Sequence, residues 1–165
     1  MRINRGAGIL TISDKAYEGR REDASGLSIS RMLEQEGYTV LNRKIIPDDL
    51  DQIVKTLVEW ADTDQTPLII TSGGTGLSPR DLTPQAMKRV IDYEVPGMAE
   101  AMRAASLKKT PHAMISRAVV GVRGASLIVN LPGSPRGAEE NLSVLFPALV
   151  HALAKLQGDP SECAQ

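Results

Sequence analysis

The sequence predicts an α/β fold: a three-layer α/β/α sandwich around a mixed, mostly parallel sheet. Three observations carry the prediction. Short apolar runs alternate with helical stripes through the first half of the chain, the pattern of consecutive β-α-β units. Later, two short apolar runs are joined by little more than Arg123-Gly124, a connection so tight that the two strands must run antiparallel. Polar, glycine-rich segments follow the apolar runs, where open α/β sheets form their ligand crevice.

Residues 7–12 read as a short central strand ended by Ser13-Asp14. Residues 15–23 are a charged loop, read equally well as solvated surface or as a mobile lid over a strand-end site. Residues 25–36 form a helix with Leu27, Met32 and Leu33 toward the core, stopped by Gly37. Residues 38–46 form the second strand, with Val40 and Ile46 inward. Pro47 fixes a turn, and Asp48 or Asp49 is placed to cap the next helix. That helix carries a stripe of Leu50, Ile53, Val54, Leu57, Val58 and Ala61, with Trp60 at its edge.

Residues 67–70 form the third strand. Thr83 as N-cap and Pro84 at the first helical position open a helix over residues 84–93. Glu94-Val95-Pro96-Gly97 breaks it, and residues 98–107 form a second short helix. A basic loop follows at 108–112, where His112 has no cysteine or second histidine nearby and no metal role is expected. Strands over 118–122 and 125–129 lead to a second glycine- and proline-rich loop at 130–137. A long helix over 138–156 carries Leu142, Leu145, Leu149 and Leu153 on one stripe. One domain over residues 1–157 and a loosely held tail over 158–165 are expected.

Composition narrows the function classes. Hydrophobic residues make up 42% of the chain and aromatics only 3%, so an aliphatic core is expected. A net charge of -1 gives no support for a nucleic-acid-binding surface, and none is expected. The lone Cys163 excludes a disulfide framework or a cysteine metal site within one chain. No apolar run approaches the length of a membrane span, so a soluble cytoplasmic protein is expected.

The segment 69–84 is the chemical centre of the sequence. A buried strand ends in Thr71-Ser72-Gly73-Gly74-Thr75-Gly76, followed by Arg80-Asp81. Glycines let backbone approach a ligand, the amides and hydroxyls suit phosphate, and a carboxylate beside them suits the accompanying metal ion. The segment lacks the lysine of a P-loop and the spacing of a dinucleotide fold. Read bottom-up, it is an anion site at a strand end or a structural turn. Gly74 is expected to exclude any side chain because backbone must approach the ligand there.

Thr71-Ser72-Gly73-Gly74-Thr75-Gly76 with Arg80-Asp81-Leu82-Thr83-Pro84 resembles the signature of the molybdopterin-binding domain family, shared by molybdopterin adenylyltransferases and their relatives in molybdenum cofactor synthesis. Pro47-Asp48-Asp49, Val95-Pro96-Gly97-Met98-Ala99-Glu100, Ser116-Arg117 and Asn130-Leu131-Pro132-Gly133-Ser134-Pro135 match further segments of that family. Arg136-Gly137 departs from it, standing where relatives often carry a lysine.

The resemblance implies magnesium-dependent transfer of an adenylyl group from ATP to the terminal phosphate of molybdopterin, with release of pyrophosphate. It implies Asp48 and Asp81 as the catalytic, magnesium-binding carboxylates, and Ser13 and Asp14 on the nucleotide side. Ser72, Gly73, Gly74, Thr75, Gly76 and Arg80 belong to the phosphate cradle, and Glu100, Ser116, Pro132, Gly133 and Ser134 join the ligand-binding set. It further implies a homo-oligomer, first of all a trimer, and contact with other cofactor-synthesis proteins. A non-catalytic molybdopterin-binding or assembly protein of the same fold is the alternative.

Overall fold

A computed structural model describes residues 3–161, so Cys163 and the end of the expected tail lie outside the described residues. Six strands form one sheet: β1 (Gly6–Ile12), β2 (Thr39–Ile46), β3 (Leu68–Ser72), β4 (Tyr93–Glu94), β5 (Val120–Arg123) and β6 (Ser126–Leu131), in the order β2-β1-β3-β6-β5-β4. β2, β1, β3 and β6 run parallel, while β5 and β4 add antiparallel pairs at one edge. The mixed sheet is as expected. β1 lies inside the sheet and is buried along its whole length, whereas the edge strand β2 is exposed or half-buried up to Ile46, its one buried residue.

Side chains alternate across the sheet into two cores. Ala7, Ile9, Leu68, Ile70, Leu127 and Val129 face helices α2 (Ala24–Gln35), α5 (Pro96–Leu107) and α6 (Pro135–Leu156). Leu10, Ile12, Ile69 and Ile128 face α3 (Leu50–Val58) and α4 (Thr83–Val90). These are the three layers. Among the described residues no helix is long and apolar enough to cross a membrane.

Several elements differ from expectation, each for a local reason. Part of the charged loop forms a short helix, α1 (Asp14–Tyr17), because the Ser13 hydroxyl accepts the Ala16 N–H and caps it. α2 starts at Ala24 because Asp23 caps it, accepting the Gly26 N–H at 2.9 Å. Its buried face therefore centres on Ile29 and Leu33, while Leu27 is only half-buried. Asp49, rather than Asp48, caps α3 through the Gln52 N–H.

Trp60 is not at an edge but 5% exposed, on a π-helical turn (Glu59–Thr63) that continues α3. Gly8 makes room for it: a Cβ there would lie 2.8 Å from the indole ring. α4 ends at Val90, and Tyr93–Glu94 is captured as the edge strand β4 by hydrogen bonds from Asp92 N to Val122 O and from Val95 N to Val120 O. α5 begins at Pro96 rather than at 98, and part of the expected basic loop joins a 3-10 turn, Pro111–Ile115.

Two shifts matter most for the site. β3 and β6 both run further than expected, pairing Ser72 with Leu131. α6 starts at Pro135, capped by Ser134. The loop between β6 and α6 thus shrinks to Pro132-Gly133-Ser134, held rigidly at both ends.

Replacing the buried Trp60 by alanine should cost about 3–5 kcal/mol of stability, the usual penalty for emptying an aromatic core site. Urea denaturation reads this directly; a loss below about 1 kcal/mol would show that the indole is not a core anchor.

Candidate functional site

The loops after β1, β2, β3 and β6 gather at the carboxyl end of the sheet. They line a cleft of about 480 Å³ that includes Ser13, Asp48, Ser72, Gly73, Gly74, Asp81, Gly133 and Ser134, closed on another side by residues 21–25 before and at the start of α2. The convergence depends on backbone contact. Gly73 has a φ of 106°, and a Cβ there would fall 2.3 Å from the Ile12 carbonyl oxygen. Only glycine allows the turn after β3 to lie so close to β1. Gly133 in turn packs its Cα face on Gly73.

Gly74 has a φ of 66°, and a Cβ there would meet the Thr83 hydroxyl at 2.4 Å. The exclusion of a side chain therefore has a nearer cause than ligand approach. Thr83 does not cap α4 as expected. It is the first residue of that helix, fully buried, and its hydroxyl donates to the Gly73 carbonyl at 2.8 Å. Ser72 is equally enclosed: its hydroxyl donates to the Pro132 carbonyl and bonds the Ser25 hydroxyl, joining the loops after β3 and β6 to α2.

The turn that these contacts hold presents bare amides. Among the described residues, the N–H groups of Gly74, Thr75, Gly76 and Leu77 have no acceptor, and the Thr75 hydroxyl has no partner. Consecutive unpaired amides at the end of a strand form an anion-binding concavity. Of the residues expected to form a phosphate cradle, the structure leaves backbone amides open more than hydroxyls, since the Ser72 hydroxyl is already bonded.

Carboxylates crowd the same cleft. Asp14 and Asp48 exchange hydrogen bonds: the Asp14 N–H donates to Asp48 Oδ2 at 2.9 Å, and the Asp48 N–H donates to Asp14 Oδ1 at 3.0 Å. Arg80 grips both oxygens of Asp14 at 2.9–3.0 Å. Burial raises the Asp48 pKa, and the charges of Asp14 and Asp81 push it further up, against the Asp14 amide and Arg80. Burial also pushes Asp14 up, but the Asp48 amide and the Arg80 guanidinium outweigh it and hold Asp14 below the ordinary carboxylate range. Asp81 accepts the Ser78 N–H at 2.9 Å through Oδ2 and packs over Gly76.

Asp48 Oδ1 and Asp81 Oδ1 have no hydrogen-bond donor among the described residues. No group of three His, Cys, Asp or Glu side chains among those residues forms a ready metal cage. Magnesium is typically held by one or two carboxylates, with the rest of its shell from water and substrate phosphates. Two open carboxylate oxygens in an acid-crowded cleft beside bare amides fit that pattern.

A second cleft, of about 290 Å³, is lined by Thr75, Gly76, Arg103, Ser106, Ser116 and Asn141 among others. Pro132 borders it, and Ser134 lines both clefts. Of the expected site residues, Asp14, Arg80 and Glu100 line neither cleft: Asp14 meets the first only through its bonds to Asp48, and Glu100 lies exposed on α5. Arg80 stands at the rim of the first cleft, 61% exposed, bound to Asp14.

Sequence reasoning passed over Asp23, which caps α2 at the cleft wall and also accepts the Thr11 hydroxyl. It also left Arg117 without a role, although the Ser116-Arg117 pair was visible as a match.

With these features, the chain belongs to the family described as the probable molybdopterin binding domain, whose model matches residues 8–151. Among its relatives is a molybdopterin adenylyltransferase of Helicobacter pylori, 40% identical over 154 residues, covering 92% of this chain and 88% of that one. The structure of the molybdopterin biosynthesis enzyme MoaB from Thermus thermophilus superposes with a TM-score of 0.89 at 48% identity, covering 95% of this chain and 99% of that one. Gephyrin of Dictyostelium discoideum is 36% identical over 163 residues, which is 93% of this chain and 23% of that much longer protein.

Ionised Asp48 should oppose folding. Its folded pKa is raised, so the penalty is fully present above that pKa and disappears as pH falls toward the ordinary carboxylate value. Asp48→Asn removes the charge and keeps an acceptor for the Asp14 amide, so it should melt at or above the wild-type temperature at neutral pH. The advantage should vanish in acid. Calorimetry at both pH values checks this; a lower melting temperature at neutral pH would contradict it.

Proposed function

We propose that this protein transfers an adenylyl group from ATP to the terminal phosphate of molybdopterin. One observation carries the reading. The turn of bare amides separates two clefts: Gly74 lines the first, beside the open carboxylate oxygens of Asp48 and Asp81, Thr75 and Gly76 line the second, and Ser134 lines both. In this reading the triphosphate starts in the first cleft at the Gly74 amide and follows the turn toward the amides of Thr75 and Gly76, which line the second cleft. The pterin occupies the second, where Arg103, Ser116 and Asn141 supply polar contacts, and its phosphate reaches the α-phosphorus near Ser134.

In the reaction, a phosphate oxygen of molybdopterin forms a new bond to the α-phosphorus as the bond to the β-phosphate oxygen breaks. The electron pair leaves with pyrophosphate. The nucleophile is already an anion near neutral pH, so the site needs positive charge and alignment more than a general base. Asp48 and Asp81 would hold magnesium, which supplies charge neutralisation to the triphosphate. Asp14 fixes the Asp48 carboxylate through their paired amide bonds, and Arg80, released from Asp14, can add a cation at the rim. A soluble protein of the cytoplasm belongs to the same reading.

Incubation with ATP, magnesium and molybdopterin should yield adenylylated pterin and pyrophosphate. Asp48→Asn and Asp81→Asn should each lose on the order of a hundredfold or more in turnover, the scale of one lost transition-state electrostatic contact. Their magnesium requirement should rise while pterin binding stays nearly intact. Pterin binding without product in the wild type would favour the non-catalytic reading. Wild-type turnover of both variants at limiting magnesium would remove the metal assignment.

We also propose a symmetric homo-oligomer, a trimer first. Leu107, Met114 and Ile115, at the end of α5 and the turn after it, are 43%, 70% and 49% exposed. Light scattering during gel filtration should give a multiple of the 17.7 kDa chain mass; a monomer at micromolar concentration would refute the proposal.

A further inference from the structure

We propose that Arg117 is a positioning residue of the phosphate cradle, aiming the bare amides from behind the loop. Its backbone N–H donates to the Thr75 carbonyl at 2.9 Å. Its guanidinium donates to the Gly76 carbonyl at 2.7 Å, the Asp81 carbonyl at 2.7 Å and Gln85 Oε1 at 3.2 Å. One residue therefore grips the loop on both sides of its exposed tip, from Thr75 to Asp81.

The consequence follows from the peptide plane. In a trans peptide the carbonyl and the next N–H point in opposite directions. Drawing the carbonyls of Thr75 and Gly76 onto Arg117 turns the N–H groups of Gly76 and Leu77 away from it. Those are two of the four amides without an acceptor. The contact on the Asp81 carbonyl anchors the backbone that carries the Asp81 carboxylate.

Arg117 lines neither cleft, so it acts through the loop. Its chemistry also differs from that of Arg80 and Arg123, which are neutralised by the carboxylates of Asp14 and Asp62. Arg117 has no ion-pair partner among the described residues and meets only carbonyl-type oxygens. A planar fork can reach two carbonyls at once; a lysine ammonium is a single point on a flexible stem.

The role of the cradle as an ATP site rests on the function proposed above, so the test needs one readout independent of turnover. Hydrogen exchange supplies it through Ser78, Asp81 and Thr83, whose amides are bonded within this loop to Asp81 Oδ2, the Ser78 carbonyl and the Gly74 carbonyl. In Arg117→Ala these amides should exchange faster while those of β1, β3 and β6 do not change. ATP affinity, measured by calorimetry without pterin, should fall about tenfold or more, the scale of one charge-assisted hydrogen bond. Millimolar guanidinium should restore part of both losses, and methylammonium should not. Arg117→Lys should resemble Arg117→Ala in both readouts, and it carries the test if the alanine variant does not fold.

Unchanged exchange at the three loop amides in either folded variant would overturn the proposal. So would a lysine variant that equals wild type, or equal rescue by the two cations. If wild type itself fails to bind ATP, the functional reading fails, while exchange and its rescue still decide the role of Arg117.

Discussion

The contact of the Gly73 backbone with the end of β1 is the constraint on which the site depends. Only a residue without Cβ can bring the turn after β3 against the Ile12 carbonyl, where a Cβ would fall 2.3 Å away. Once there, the turn is fastened from several directions. Gly133 packs on it, Thr83 donates to its carbonyl, and Ser72 ties it to Pro132 and to α2. These bonds use most of the buried polar groups of the region, so the loop is held without drawing on the amides of residues 74–77. Rigidity and unpaired amides thus coexist because the polar groups that fasten the loop are distinct from those left open.

The acidic side of the cleft follows the opposite logic. Asp14 and Asp48 are held together by each other's amides, an arrangement that needs the ends of β1 and β2 at the same height. Parallel pairing of Ile12 with Ile46 supplies it. Two carboxylates in such proximity are not at rest electrostatically. Arg80, bonded to Asp14, holds that carboxyl low, while at Asp48 burial outweighs the more distant charge of Arg80 and leaves a raised proton affinity. A site that binds a cation well is one whose anions are poorly satisfied without it, and the cost appears as reduced stability of the fold.

Much of this was legible in the sequence. The strand order could not be read, but the β-α-β alternation, the antiparallel pair after Val120 and the three strand-end loops were all visible as changes in periodicity. The glycine-rich turn stood out by its residue types after a buried strand, whereas Asp48 and Asp81 were singled out by the family resemblance. What escaped was tertiary. Trp60 looked marginal on its own helix because the space for it is made by Gly8 on another element. Tyr93–Glu94 looked helical because only the β5 edge makes it a strand. Thr83 had the form of a cap, yet the nearest acceptor in need of a donor was the Gly73 carbonyl. The role of Arg117 was hidden for the same reason: its acceptors lie 32 to 42 positions away or are main-chain carbonyls, which leave no trace in residue type.

Helix ends contribute less to this site than the architecture would suggest. α2, α3 and α6 all begin near the strand ends, where their first-turn amides and dipoles favour an anion. Each is closed by its own cap, however: Asp23 on Gly26, Asp49 on Gln52 and Ser134 on Gly137. Two of those caps are carboxylates, which place negative charge where a phosphate would otherwise sit. The four bare amides after β3 are free of such competition. Open backbone donors are thereby concentrated on one turn instead of spread over the crevice. On the proposed function, that turn, with Gly74 in the first cleft and Thr75 and Gly76 in the second, would bring both anionic substrates to one row of amides beside Ser134.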